Sequence, residues 1–210
     1  MASTKEIRTR MKSVEQTLKI TNAMYLIASS NLRKAKAQLE QAAPYFTKMH
    51  TTIADILHRS PELSHHFLDR RPEIPAEERK VGYVVLSGDK GLAGAYNHNV
   101  LKLAERRLRE TARPKLFVVG LVGRAYFQER NIPFEEDFSY VVQNPTMSRA
   151  RDISDELVQQ FLDRELDEVR ILYTEMVSAL RQEVREQTLI PLERENIPWV
   201  NPKGGPVLPT

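Results

Sequence analysis

The sequence contains no cysteine, and it has no long apolar run. Without cysteine there is neither a disulfide framework nor a thiolate metal site, which is compatible with a reducing interior. No run approaches the roughly 18 apolar residues that a membrane-spanning helix requires, and no signal peptide is predicted. His58, His65 and His66 fall in or beside a charged loop without any carboxylate–histidine spacing, so no metal site is predicted.

What the chain does contain is an uninterrupted seven-residue repeat within its first 58 residues. Apolar or small residues recur at alternating steps of four and three. This period keeps one seam of a helix facing a partner helix in a left-handed supercoil. We therefore predict one long coiled-coil helix over residues 1–58. The seam consists of Ile7, Met11, Val14, Leu18, Thr21, Tyr25, Ala28, Leu32, Ala35, Leu39, Ala42, Phe46, Met49, Ile53 and Ile56.

The ends and the length of this helix follow from local signals. Ser3 and Glu6 have capping-box spacing, which places the helix start within a few residues of the N-terminus. The repeat passes Pro44 without a change of phase, so a single kinked helix is predicted rather than two. It would be about 80 Å long. No other stretch is long enough to cover the seam, so its partner is another chain or a segment outside this one.

Charge is unevenly distributed along the chain. Residues 1–43 carry eight basic and three acidic side chains, a net charge of +5, whereas the whole chain carries +3. This basic helix favours an acidic partner. Basic-zipper proteins place their basic block before the heptads, whereas here the charges share the helix with the seam, so a solvated or protein-facing surface is favoured over nucleic acid. Off-seam apolar residues such as Ile20 and Met24 favour an enclosed middle over a broad face under one domain.

Residues 59–79 contain three prolines among charges and are predicted to be a connector. From Lys80 to about residue 195, β-branched runs alternate with amphipathic stretches, which predicts a Rossmann-like open α/β sheet domain. Residues 196–210 are predicted to be a linker-like tail. The predicted strands are Val81–Ser87, Lys115–Val122, Val169–Val177, Val184–Leu192 and a weak edge strand at Phe138–Val142, with helices after the first strand, from Arg124 and over Ser154–Leu166.

A glycine-rich loop, Gly88–Gly94, follows the first predicted strand. Its spacing matches neither G-x-x-x-x-G-K-[ST] nor G-x-G-x-x-G, so phosphate and dinucleotide binding are disfavoured. Ser87 and Lys90 have the Ser-x-x-Lys spacing of a nucleophile pair, but the companion motifs are absent. A tight turn with glycines at positive φ explains the glycines. It does not explain why Asp89, Lys90 and Asn97 cluster there.

Two stretches carry a resemblance to the gamma subunit of F-type ATP synthases. The first runs from Ser13 to Lys34 and includes Lys19-Ile20-Thr21, Ala23-Met24, Ala28-Ser29 and Leu32-Arg33-Lys34. The second is the continuous run Ser87–Asn97, SGDKGLAGAYN, in which Ala93 stands where many members have cysteine. Members also end in a second long helix that pairs antiparallel with the first. Nothing after Thr210 supplies that helix here.

The resemblance implies a non-catalytic rotor without a cofactor, nucleic-acid partner or direct small-molecule substrate. Its helix would sit inside a ring of alpha and beta subunits, and its α/β domain would attach to the epsilon subunit and the membrane c-ring. It would be a peripheral subunit at the cytoplasmic face of the cell membrane, or the equivalent side of an organelle membrane. The implied partner-facing residues are Met24, Arg33, Lys34, Lys36, Asp89, Lys90, Gly91, Leu92 and Asn97.

A rival hypothesis from another class keeps the same elements. In it the chain is a small α/β enzyme that uses the Gly88–Gly94 loop, and the long helix is an oligomerisation stalk. A shift in the melting temperature of the isolated chain on addition of a soluble ligand would favour the enzyme. Co-purification with a large ATPase would favour the rotor.

Overall fold

The computed structural model describes residues 3–143, 145–178, 181–193 and 197. The chain divides into two compact units, one containing the N-terminal helix up to Pro61 and the other spanning Glu62–Asn196. The predicted tail, residues 196–210, lies outside the described residues except for Ile197.

The first unit is built on one helix, α1, which runs over Thr4–Arg59 for 56 residues. Ser3 is its N-cap and accepts a hydrogen bond from the backbone N–H of Lys5 at 3.3 Å. Glu6 pairs with Arg10 one turn later instead of completing a capping box. The helix continues through Pro44. At 1.5 Å per residue it is about 84 Å long, so the predicted long helix is confirmed.

The second unit contains a four-stranded sheet, whose strands are β1 Lys80–Leu86, β2 Arg113–Val119, β3 Glu168–Met176 and β4 Gln182–Ile190. They lie in the order β2-β1-β3-β4. The first three strands are parallel and β4 runs antiparallel to β3 at the edge. Parallel neighbours need helical crossovers, and the intervening amphipathic stretches supply them.

The described part of this unit also contains a short 3-10 helix, His66–Leu68, and three α-helices that pack on the sheet and create a core on each of its faces. The α-helices are α2 Tyr96–Glu110, α3 Leu121–Glu129 and α4 Met147–Leu162. Alternate residues of each strand point to opposite faces, so the two cores share the strands but no side chains. One core joins Val81, Tyr83 and Val85 to Val100, Leu101 and Ala104 of α2 and to Phe127 of α3. The other joins Val84, Phe117 and Val119 to Phe138, Leu157, Leu166 and Val169.

This architecture confirms the predicted α/β class with its long N-terminal helix, but some predicted boundaries were wrong. The predicted strand Lys115–Val122 is too long at its C-terminal end, because β2 ends at Val119 and Gly120 starts a helix from Leu121. Helix α4 begins at Met147 instead of Ser154, because Thr146 caps its N-terminus, and it ends at Leu162. The other three principal strands begin and end within two residues of their predicted bounds.

The predicted edge strand Phe138–Val142 is also wrong. Phe138 is fully buried and stacks edge-on against Phe117, with the ring centroids 5.1 Å apart. Tyr140 in turn packs against Phe138, at 4.8 Å between centroids. The alternation of apolar residues thus serves a loop that covers one face of the sheet, and not a strand that extends its edge.

Candidate functional site

The seam of α1 is open to solvent along most of the helix. The side chains of Ile7, Met11, Val14, Leu18, Leu32 and Leu39 are between 49% and 68% exposed. Ile53 is half-buried, and it lies beside Ala54 and Leu57, the two helix residues that are buried. A stripe of large apolar side chains in water is the hallmark of an interaction surface. The structure therefore leaves the predicted partner of the seam to be supplied from outside the described residues.

The middle of α1 exposes apolar groups on more than its seam. Met24, Ile20 and Ile27 lie off the seam and are 51%, 62% and 61% exposed. Arg33, Lys34 and Lys36 are exposed in the same part of the helix. None of these three makes an ion pair with a residue that the structure describes. The helix thus presents hydrophobic and basic groups side by side.

The glycine-rich loop follows the carboxyl end of β1, the strand that lies between β2 and β3 in the sheet. In open α/β sheets ligands are usually bound outside the carboxyl ends of the strands, where the strand order reverses. Leu92 adopts a left-handed backbone conformation, with φ of 60°, and its side chain is 95% exposed. Such a conformation is uncommon for a leucine and indicates that the surrounding loop is tightly specified. Gly91 has open space around it and Lys90 is exposed.

Asp89 holds the loop to two other segments. One carboxylate oxygen accepts the backbone N–H of Leu121, at the start of α3, at 3.2 Å. The other accepts the N–H groups of Val142 and Gln143 at 3.0 and 2.9 Å. Hydrogen bonds to an ionised acceptor are stronger than neutral ones. Asp89 is therefore a fixed anchor, with its carboxylate directed at the backbone.

Asn97 closes the loop from the other side. It is 7% exposed, and its side-chain oxygen accepts the N–H of Gly88 at 2.7 Å. Its amide nitrogen donates to the carbonyl of Lys90 at 3.4 Å. The residue thus joins the first turn of α2 to the end of β1. At the neighbouring position, burial raises the pKa of Tyr96 above its ordinary value of 10.0.

Sequence reasoning missed the contact between Ser87 and the glycines after β2. Ser87 is fully buried, and its hydroxyl accepts the N–H of Gly123 at 2.9 Å while it lies 3.1 Å from the carbonyl of Val119. Gly120 has φ of 100°, and a Cβ built there would lie 2.1 Å from the carbonyl oxygen of Ser87. A glycine inside the predicted strand Lys115–Val122 was the available signal, because a glycine within a strand often marks a close approach of another backbone segment.

These contacts decide what the loop can do chemically. The Ser87 hydroxyl is bound to backbone groups and is inaccessible, so it cannot act as a nucleophile with Lys90. Asp89 and Asn97 are likewise engaged with backbone. Among the described residues, no three His, Cys, Asp or Glu side chains converge as a metal site. A cavity of about 450 Å³ lies elsewhere, around Leu108, Pro114 and Ile132. Lys90 and Leu92 are the largest exposed side chains of the loop, and the enzyme hypothesis gains no support.

The structure thus divides the predicted interface residues into two sets. Met24, Arg33, Lys34, Lys36, Lys90 and Leu92 present their side chains to solvent, whereas Asp89 and Asn97 use theirs to fix the loop. Whether any of them contacts a partner stays a prediction. No helix in the described part of the chain combines the length and the apolar character needed to cross a membrane.

Comparison with known proteins identifies the family. A family model described as ATP synthase matches residues 3–205. The ATP synthase gamma chain of Ruminiclostridium cellulolyticum is 45% identical over 190 residues, which are 90% of this chain and 64% of that protein. The gamma chain of Moorella thermoacetica is 37% identical, over 91% of this chain and 67% of that protein. The chain therefore spans about two thirds of the length of these relatives.

A solved structure shares the fold. It is the central stalk and c-ring of the Tetrahymena thermophila mitochondrial ATP synthase, a chain of which is 21% identical with a TM-score of 0.57. The alignment covers 89% of this chain and 80% of that one. At this identity the likeness supports the architecture alone, whereas the sequence matches above identify the family. The chain belongs to the ATP synthase gamma chain family.

Proposed function

We propose that this chain is the rotor subunit of an F-type ATP synthase. It is non-catalytic, and it turns inside a ring of alpha and beta subunits to couple proton flow to ATP synthesis or hydrolysis. In this proposal residues 1–58 form the shaft, residues 59–79 connect it to the foot, and the α/β domain of residues 80–195 is that foot. The observation that carries the proposal is the 56-residue helix with its exposed apolar seam.

The energetics of that helix favour a partnered state. Each large apolar side chain that moves from water into an interface stabilises it by roughly 1.5–3 kcal/mol. The seam holds ten such side chains that are between 46% and 71% exposed. The backbone hydrogen bonds of an isolated helix stabilise it too little to compensate for the exposure of these side chains to water. The partner of the seam in this proposal is an antiparallel helix, and the alpha and beta subunits enclose the pair.

Specific side chains have distinct proposed roles. Met24 packs in the contact between rotor and ring, and Arg33, Lys34 and Lys36 face acidic loops of the beta subunits. Charge complementarity of this kind sets register and encounter rate more than affinity. In the loop, Lys90 and Leu92 touch the partner, Gly91 lets it approach, and Asp89 and Asn97 hold the loop in place.

The proposed coupling mechanism follows from the asymmetry of the shaft. A single shaft cannot present the same surface to three equivalent catalytic sites, so its rotation changes their relative affinities in turn. This is allosteric coupling carried by a rigid body. The foot attaches to the epsilon subunit and the c-ring, which places the chain as a peripheral subunit at the cytoplasmic face of the membrane. The chain itself then needs no cofactor and no substrate pocket.

Replacing one seam residue tests the proposal. Leu39→Asp buries a carboxylate against an apolar partner, at a cost of several kcal/mol. Each 1.4 kcal/mol reduces the binding constant about tenfold. We expect recovery of the chain with co-expressed alpha and beta subunits from the same organism to fall at least tenfold. The α/β domain should keep the melting temperature of the unsubstituted chain.

Ala37→Asp is the matched control. It introduces the same charge two residues away, at the outward position of the repeat that Pro44 also occupies. Assembly of this variant should stay close to that of the unsubstituted chain. Normal assembly of Leu39→Asp would contradict the seam assignment. Failure of the unsubstituted chain to co-purify with the ring would contradict the proposed function.

A further inference from the structure

The connector is a tightly bonded segment, although its sequence has the composition of a loop. Residues 62–79 belong to the α/β unit. The carbonyl of Phe67 accepts the N–H of Leu192, just beyond β4, at 2.6 Å. Nearer its end, Arg79 donates to the carbonyls of Arg70 and Arg71, both at 3.0 Å. The strongest attachment lies between these two points, at Arg71.

Arg71 is a buried cation, 4% exposed. Its Nη1 donates to the carboxylate of Asp167 and to the carbonyl of Leu166, both at 2.7 Å. Its Nη2 donates to the carbonyl of Phe161 at 2.6 Å, and the guanidinium carbon lies 4.2 Å from the centre of the Phe161 ring. Arg71 thus binds the end of α4, where the helix dipole favours a positive charge, and the turn that leads into β3.

Asp167 connects this contact to the centre of the sheet. It is 3% exposed, and its second carboxylate oxygen accepts the N–H of Lys80 at 2.9 Å. Its own N–H donates to the carbonyl of Lys80 at 2.8 Å. Lys80 is the first residue of β1. One carboxylate therefore joins the connector, β3 and the central strand.

The backbone conformation of Arg71 is also unusual. Its φ is 47°, a left-handed conformation that costs a non-glycine residue energy. Asp69 supports the turn by accepting the N–H of Arg71 at 3.0 Å. Replacing a buried ion pair with well-packed apolar residues is often neutral or stabilising, so this pair is weak evidence of a contribution to core stability. Its contacts do hold the connector against the end of α4 and the turn that leads into β3.

We infer that Arg71 and Asp167 form a clasp that makes the connector a rigid element for transmitting torque. This inference rests on the proposed function, in which the shaft drives the foot or is driven by it. The covalent path from α1 to the α/β domain runs through residues 60–79. If the connector were flexible, rotation of the shaft would first stretch the connector before it turned the α/β domain. With the clasp closed, the connector moves with the sheet, and Arg71 and Asp167 act as positioning residues.

The experiment uses Asp167→Asn, which retains an oxygen to accept the Lys80 N–H and removes the charge facing Arg71. On the free chain, we expect trypsin to cut after Arg70 at least tenfold faster. In the assembled enzyme in vesicles, ions pumped per ATP hydrolysed should fall at least threefold, while the hydrolysis rate stays within twofold. Arg71→Lys keeps the positive charge but loses the planar guanidinium group with its paired donors. The number of ions pumped per ATP hydrolysed should therefore fall by an intermediate amount.

Two further variants separate the clasp from simple stability. Glu168→Gln breaks the neighbouring, partly buried ion pair to Arg170, which does not involve the connector. It should leave both cleavage after Arg70 and coupling unchanged. Arg71→Met with Asp167→Asn removes both charges, so the domain should melt at a higher temperature than Asp167→Asn, which leaves a buried charge unpaired, while coupling is still lost.

Three results would overturn the inference. One is unchanged cleavage after Arg70 in Asp167→Asn. Another is an unchanged number of ions pumped per ATP in a variant whose connector is cleaved faster. That result would mean that the clasp orders the connector without contributing to coupling. The third is loss of coupling in Glu168→Gln to the same extent. Failure of the unsubstituted chain to assemble or pump is a different result, since it contradicts the proposed function while the cleavage assay on the free chain still reports on the clasp.

Discussion

The turn after β2 offers a sharp test of how the loop region is built. Gly120 has φ of 100°, and an added Cβ would lie 2.1 Å from the carbonyl oxygen of Ser87 and 2.7 Å from its carbonyl carbon. Both obstructing atoms belong to the backbone of the end of β1, so they cannot move aside as a side chain would. Gly120→Ala should therefore displace two adjacent segments.

The magnitude of this effect can be estimated from its parts. A non-glycine residue in a disfavoured backbone region costs about 1–3 kcal/mol. Relieving the clash also disturbs the hydrogen bonds from Gly120 to Tyr140, at 3.0 Å, and from Ser87 to Val119, at 2.9 Å. Each is worth about 1 kcal/mol. We expect Gly120→Ala to lower the free energy of unfolding by about 4 kcal/mol, a large part of a typical domain's 5–15 kcal/mol.

Two other glycines provide graded controls. At Gly123 an added Cβ would meet the Ser87 hydroxyl at 2.6 Å and a Val118 methyl at 2.8 Å, and both are side-chain atoms that can shift. Gly123→Ala should therefore cost about 1–3 kcal/mol. Gly91 has no atom within 4 Å of the added Cβ and no positive φ. Gly91→Ala should be neutral, or stabilising by about 0.4–1 kcal/mol through the unfolded state.

Urea unfolding of the full chain measures all three variants. Near-ultraviolet circular dichroism of buried aromatic residues such as Tyr83 and Phe117 reports on the α/β domain. With a slope of about 2 kcal/mol per molar urea, Gly120→Ala should shift the midpoint down by about 2 M. The order of destabilisation should be Gly120, then Gly123, then Gly91. A Gly120→Ala variant within about 1 kcal/mol of the unsubstituted chain would refute this account of the turn.

The remaining predictions concern charge. Arg33→Glu combined with Lys34→Glu should reduce ATP-driven pumping in vesicles, because like charges would then face acidic loops, while the α/β domain melts unchanged; undiminished pumping would contradict the assigned role. Burial raises the pKa of Glu156 above its ordinary value of 4.5. The native state therefore favours the protonated acid, so this residue stabilises the fold below about pH 4.5 and loses that contribution as pH rises through the raised pKa. Glu156→Gln should flatten this part of the stability profile, measured as urea midpoints at several pH values, and a profile identical to that of the unsubstituted chain would count against it.

The sequence was most informative where one periodic pattern governed a long stretch. Fifteen seam positions in phase predicted α1, and no tertiary contact was needed to identify it. Strand β1 and the second half of β2 were recognisable as short β-branched runs because both of their faces are buried. Predicted boundaries were wrong where a single residue begins or ends an element against the hydrophobic pattern. Gly120 ends β2 within a continuing apolar run. Thr146 caps α4, which begins at Met147, seven residues before the predicted Ser154.

The polar residues of the loop were harder to predict, since their roles depend on distant segments. Asp89 bonds to backbone groups 32 and 53 residues further along the chain. No local spacing encodes that arrangement. Arg71 is a stronger example, because its partners lie 90 to 96 residues away and its own surroundings have the composition of a solvated loop. Residues that join distant segments gave no signal in a single sequence.

The position of β1 in the sheet has a consequence for how the chain is made. This strand is the first of the four to leave the ribosome, yet it lies inside the sheet, with β2 and β3 as its two neighbours. From Leu86 to Met176 the ribosome adds 90 residues before β3 is complete. At roughly 5–20 residues per second, that takes about 5 to 18 seconds. During this interval the backbone groups along one edge of β1 have no strand to pair with. Strands of nascent chains on neighbouring ribosomes are the nearest alternative partners for that edge. A chaperone acting at the tunnel exit would have its main task in covering it.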